Sequence, residues 1–250
     1  MIDGVEPGQH HRDARRALEA AGWRWHARGD WAQVYVSPDG NRVARTVPFD
    51  PAYALHVETC LAHPDVAFFQ RIDWCCDLAP AGQLVVMERL APADSARARA
   101  LCGALGETKW LKRAPRDGER LAWADARLRD PALGRVFEIL RAAARAGARR
   151  LGWWGGLDVR PANVLQDAGG RLVLIDPYFV AGPRLIPAIL ADVQAVGRHY
   201  SSRELRGFLE IAVFEDEADE PGEVLQQLRA QVAVLEASEG QAKSEREQGA

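Results

Sequence analysis

A chain of 250 residues, 48% hydrophobic and 27% charged, has the make-up of an ordinary globular protein and room for one large domain or two small lobes. A formal charge of −3 argues against nucleic acid as the main partner, because proteins that bind it carry a basic excess. No run of about 18 uncharged apolar residues occurs, so no membrane span is expected, and the start MIDGVE lacks the basic-then-apolar order of a signal peptide. The four cysteines (Cys60, Cys75, Cys76, Cys102) show no C-x-x-C spacing and include a vicinal pair, which implies reduced thiols in a cytoplasmic protein rather than zinc or a disulfide framework.

Residues 12–21 (RDARRALEAA) form a short helical pattern that Gly22 ends. WRWHARGDWAQVYVS and NRVARTV alternate as two strands, joined by the turn Ser37-Pro38-Asp39-Gly40. Residues 51–63 have helical periodicity, and residues 66–76 and 83–90 are strand-like around the turn Ala79-Pro80-Ala81-Gly82. Beyond residue 91 the chain is helical and rich in Ala, Leu and Arg, most clearly over residues 132–149. Two short strand patterns, 163–166 and 172–175, flank Asp167-Ala168-Gly169-Gly170 before helical patterns resume near residues 186–200, 204–214 and 224–236. The polar tail at 238–250 has the composition of a disordered segment. This order divides the chain into a strand-rich lobe at 1–90 and a helical lobe at 91–237, with a cleft between them as the expected ligand site.

The chemistry concentrates in Gly156-Leu157-Asp158-Val159-Arg160-Pro161-Ala162-Asn163 and in Ile175-Asp176-Pro177. An acid on a loop, an amide five residues later and a second acid after the next strand can all be aimed at one point by a small hairpin. Phosphoryl transfer needs such a set: a carboxylate to orient the attacking hydroxyl, and oxygen ligands for Mg²⁺ on the phosphates. A bare D-x-x-x-x-N is weak and also fits a surface turn; both acids at this spacing after a long helix are the stronger signal.

On these residues the chain resembles the protein-kinase-like superfamily of protein kinases and aminoglycoside-phosphotransferase-type kinases. Asp158 and Asn163 match its D-x-x-x-x-N loop, and Asp176 matches the acid that opens D-F-G, 18 residues on. The resemblance implies an α+β fold with a small β-rich N-lobe and a mostly helical C-lobe. It also implies ATP and Mg²⁺, with Asp158 as catalytic base, Asn163 and Asp176 as metal ligands and Leu165 as the floor under the adenine. Glu88 lies in the run that resembles the hinge strand, whose backbone would meet the adenine edge. Asp192 resembles the acid that braces the catalytic loop, and reads equally well as the first acid of a helix. Residues 27–34 overlay the glycine-rich loop only at Gly29 and Val34. His11-Arg12-Asp13 spells H-R-D, but Leu18 stands where the asparagine belongs, and the triplet reads as a charged helix start.

Three departures matter. No lysine precedes Lys109, so Arg45 takes the place of the phosphate-holding lysine and Glu58 is the candidate for its helix partner; arginine keeps the charge but is longer and planar. Gly156-Leu157 replace the His-Arg expected before the base, and Arg160 stands where protein kinases often carry a lysine, placed to steady a transferring phosphate or to face solvent. Only 15 residues separate Asp176 from Asp192, too few for a substrate-presenting activation segment, and none of them is Ser or Thr. The leading expectation is an ATP-dependent phosphotransferase acting on a protein or small-molecule hydroxyl. The alternatives are a pseudokinase serving as a nucleotide-sensing or protein-interaction module, and adenylyl transfer on the same fold. No nucleic acid or membrane partner is expected.

Overall fold

The computed structural model describes residues 2–107, 116–215 and 222–248. They form an α+β protein of two compact units, each built from separated stretches of chain. The first unit takes residues 1–50, 74–86 and 181–250, and the second takes 51–73 and 87–180.

In the first unit, helix α1 (His11–Ala20) starts at His10, whose ring accepts from the Arg12 amide, and stops where Gly22 turns the chain. Ala14 and Leu18, one helical turn apart, bury against Tyr35, Ala44, Leu84 and Val86 of a five-stranded sheet. That sheet runs β1 (Arg24–Arg28), β2 (Gln33–Val36), β3 (Arg42–Val47), then β5 (Gly82–Glu88) and β4 (Ile72–Leu78) at the edge. The run read from sequence as one strand is therefore two. Gly29 to Ala32 turn back on themselves, the Gly29 amide donating to the Ala32 carbonyl at 2.9 Å, and β1 pairs antiparallel with β2. Gly82 has no room for a side chain: a Cβ there would stand 2.0 Å from the Val47 carbonyl oxygen.

In the second unit, α2 (Pro51–Ala62) packs on α5 (Pro131–Arg150), and Asp130 caps α5. Between them in sequence lie the short β6 (Ala91–Pro92), α3 (Ser95–Ala104), capped by Asp94, and α4 (Asp117–Arg129). After α5 come β7 (Trp154–Leu157), a single 3₁₀ turn (Pro161–Asn163), β8 (Val164–Gln166), β9 (Leu172–Leu174) and β10 (Tyr178–Val180). β8 pairs with both β6 and β9, while β10 pairs with β7.

The chain then returns to the first unit as α6 (Gly182–Ala191), α7 (Val193–Gly197), α8 (Ser202–Phe208), α9 (Ala212–Glu215) and α10 (Glu223–Gln248). Within that unit Trp31 stacks on Phe49 and packs on Phe208, and the Asp30 carbonyl accepts from the Val213 amide, so the β1–β2 turn is docked on α8 and α9. The split near residue 90 does not coincide with either unit, because the C-terminal helices pack with the N-terminal sheet. The tail from residue 238 is helical as far as Gln248, held at its start by Ser238 on Gln194 and by Glu239 on the amide and hydroxyl of Ser202. Among the described residues no helix is long and apolar enough to cross a membrane.

Candidate active site

The candidate site lies wholly in the second unit and is assembled by backbone pairing before any side chain takes part. β7 brings the chain to Asp158, whose amide donates to the Pro177 carbonyl at 2.7 Å and so ties the first acid to the residue that follows the second. Gly156, one step before Leu157, holds φ at +101°. A residue with a Cβ is strained there, which is a local reason why the position expected to carry histidine is glycine. Buried Val159 anchors the loop, and the 3₁₀ turn closes with the Asn163 amide on the Arg160 carbonyl at 2.8 Å. The turn Asp167 to Gly170 then folds β9 back on β8, with the Arg171 amide bonded to Asp167 Oδ1.

Asn163 is the hub. Its side chain is buried, and its Nδ2 lies 2.8 Å from the Asp158 carbonyl, 3.0 Å from Asp158 Oδ2 and 2.8 Å from the Asp176 carbonyl. The amide nitrogen has two hydrogens for these three oxygens, so it bridges both acid-bearing segments. With the nitrogen turned inward, Oδ1 is the outward atom of the amide and accepts from no described residue. Asp158 Oδ2 also meets Arg160 Nε at 3.1 Å, and the Asp158 side chain keeps 29% of its surface exposed. Asp176 is half-buried at the end of β9. Asp158, Arg160, Asn163 and Asp176 thus lie on one hairpin.

The other predicted residues divide between the units. Leu165 is half-buried in β8, opposite Pro92 and Val173. Glu88 accepts from Arg171 at 3.2 Å, and Arg171 also holds Asp167 and the Ala67 carbonyl. Glu58 receives a two-pronged contact from Arg150, at 2.9 and 3.2 Å, across the α2–α5 pair. Arg45, on β3 of the first unit, lies 3.3 Å from Asp50, five residues further along the chain. Gly29 sits in the β1–β2 turn, where a Cβ would meet nothing within 4 Å. Asp192 serves as a helix cap: its Oδ1 accepts from the Ala195 amide at 2.9 Å at the start of α7.

Sequence reasoning missed Asp50, Arg150 and Arg171. Arg171 carried a usable signal, since it stands four residues after Asp167 across a glycine turn. Arg150 carried none, because its pairing depends on how α2 lies on α5.

No protein-family model matches the chain, and no curated protein does. Among solved structures it is similar to the aminoglycoside phosphotransferase APH(3'')-Id from Streptomyces rimosus, at 18% identity over 88% of each chain with a TM-score of 0.30. It is also similar to the aminoglycoside phosphotransferase APH(4)-Ia, at 10% identity over 88% of this chain and 97% of the other, TM-score 0.30. A third match is APH(2")-IIia in its GDP and kanamycin complex, at 12% identity over 84% and 93% of the two chains, TM-score 0.31. Likenesses this distant assign neither family nor activity. The chemistry rests on the hairpin itself.

Proposed function

We propose that the chain is a kinase-like phosphotransferase that moves the γ-phosphate of ATP to a hydroxyl acceptor. The observation that carries this reading is the buried Asn163 amide, which binds the Asp158 and Asp176 segments together and points its own oxygen away from them. Asp158 then orients the acceptor hydroxyl through Oδ1, which accepts from no described residue, and receives its proton as the new ester forms. The exposed Arg160 steadies the transferring phosphate from beside that carboxylate.

The donor set fits a hard cation: a carboxamide oxygen and a carboxylate on adjoining segments are the oxygen ligands that Mg²⁺ takes. Asn163 Oδ1 and Asp176 would hold the ion, which would supply charge to offset that of the phosphates. Leu165 floors the nucleotide base. The acceptor is a small molecule in this reading, since the 15 residues from Asp176 to Asp192 leave no room for a segment that presents a protein. Four free cysteines suit a cytoplasmic protein, whose thiols stay reduced.

A second reading is favoured by one observation. Glu58, the expected partner of a phosphate-holding cation, is engaged by Arg150 of its own unit at 2.9 and 3.2 Å, in place of the cation–glutamate pair that marks an active kinase. A nucleotide-sensing pseudokinase has no need of that pair.

The deciding experiment combines melting temperature with label transfer. An Mg²⁺-dependent rise with ATP, lost in Asp176→Ala, is expected. Transfer from γ-labelled but not α-labelled ATP should fall roughly 10²- to 10⁴-fold in Asp158→Ala, the span of a general base. Full activity of Asp158→Ala would overturn its role. Binding without transfer to any acceptor would select the second reading.

A further inference from the structure

Away from the hairpin, three side chains of the kind that bind transition metals converge in the first unit. His10 and His11 stand at the start of α1, and Glu210 lies between α8 and α9, 199 residues from His11 along the chain. His10 Nε2 is 3.0 Å and His11 Nε2 is 2.6 Å from one and the same carboxylate oxygen, Glu210 Oε2. One ligand atom from each residue falls within 4.8 Å of the other two. His11 is 1% exposed, whereas His10 and Glu210 keep 36% and 27% of their surfaces open, so the cluster has a protein-lined floor and a solvent-facing side.

The backbone beneath is fixed on both sides. The His11 amide donates to the Ala79 carbonyl at 3.2 Å, and the Glu210 amide donates to the Gly207 carbonyl at 3.1 Å. Neither phosphoryl transfer nor the sheet calls for two imidazoles on a single acid oxygen.

We propose that His10, His11 and Glu210 form a binding site for a divalent transition-metal ion, Zn²⁺ above all, with water completing a four-coordinate shell. Two imidazole nitrogens and one carboxylate oxygen are a recurrent Zn²⁺ set, whereas Mg²⁺ and Ca²⁺ take six or more oxygens. The site is therefore distinct in chemistry from the Asn163–Asp176 oxygen pair.

Metal–ligand lengths of about 2.0–2.2 Å in a tetrahedron put ligand atoms roughly 3.3 Å apart, so the 3.0 Å His10 contact needs to open by about 0.3 Å and the 2.6 Å His11 contact by about 0.7 Å. In the present arrangement each Nε2–H can donate to Oε2. The ion takes both Nε2 lone pairs while each ring carries its proton on Nδ1, so no proton is released. His10 gives up the 3.3 Å contact in which its Nδ1 accepts from the Arg12 amide. The nearby guanidinium of Arg15 is offset by Glu215 at 2.6 Å. Occupancy would cross-link the first helix of the unit to its C-terminal helices.

The test uses the full chain after chelator treatment, without nucleotide, titrated with Zn²⁺ by calorimetry and followed by melting temperature. One equivalent should bind and raise the melting temperature. His10→Ala, at a half-exposed position, and Glu210→Gln should each weaken binding at least tenfold, while a Cys75→Ser/Cys76→Ser double variant keeps it. With Co²⁺, the wild-type protein should show tetrahedral visible bands and no thiolate charge-transfer band, a readout that needs no variant to fold. No binding at micromolar Zn²⁺, equal affinity in His10→Ala and Glu210→Gln, or loss of binding in the cysteine variant would each overturn the site.

Discussion

Asn163 is buried with three oxygens within 3.0 Å of one amide nitrogen, and its removal would leave the Asp158 and Asp176 carbonyls without that donor. A buried acceptor stripped of its partner costs about 1–3 kcal/mol, so Asn163→Ala should lower unfolding stability by that amount in a urea titration. Asn163→Asp should be worse, since it replaces a donor to Asp158 with a second negative charge. A fall of less than about 0.5 kcal/mol would mean that the hairpin holds its shape by backbone pairing alone. That Asp158, Asn163 and Asp176 share one hairpin was legible in the sequence, because the spacing across a glycine turn leaves few ways to fold the segment. What Asn163 bonds to was not. The donor count of an amide is fixed by chemistry, but the three oxygens it meets are set by the tertiary path of the loop. Arg45 shows the same limit: its charge was readable, while its contact with Asp50 depends on how the chain turns after β3.

At the scale of elements, hairpins and helix ends were the most legible features, because turn chemistry is local. The 167–170 turn and the end of α1 at Gly22 fall where glycine and aspartate mark them. The β1–β2 turn was lost inside an apparently continuous strand pattern, since a single glycine followed by Asp-Trp is a poor turn signal. Helix α10 was read as ending near residue 236, on composition, yet it continues to Gln248. The carboxylate of Glu239 meets both the amide and the hydroxyl of Ser202, at 3.0 and 2.6 Å, and such a contact has no trace in a local window. Glu239→Ala should therefore release the last turns of α10 with little change elsewhere. Hydrogen exchange after residue 238 should speed up while the sheet amides keep their protection. Faster exchange throughout α8 as well would show that Ser202 depends on this acid for its own helix.

Over the whole molecule, burial holds several acids of high pKa in their neutral form. It pushes the thiols of Cys60 and Cys102 from an ordinary value of 9.0 up to about 12, and the Tyr35 hydroxyl from 10.0 up to about 12. A raised folded-state value means that the native protein binds the proton more tightly than the unfolded chain does. The stability it contributes is complete below pH 9 and is lost as the pH rises from 9 toward 12. The melting temperature should accordingly hold up to pH 9 and fall above it. Cys60→Ala and Cys102→Ala should each flatten that fall, even where they lower the melting temperature at pH 7. An alkaline limb of unchanged slope in both variants would assign the loss to the tyrosines instead.

The interleaving of the two units bears on how the chain is made. Every stretch of the second unit has been synthesised once residue 180 leaves the ribosome, whereas the sheet of the first unit still lacks residues 181–250. At about 5–20 residues per second the nascent sheet waits several seconds for its C-terminal helices, with Trp31 and Phe49, which pack on Phe208, already made. The portion translated first is thus the portion completed last. During that interval these uncovered aromatic side chains are the part of the protein most in need of a chaperone.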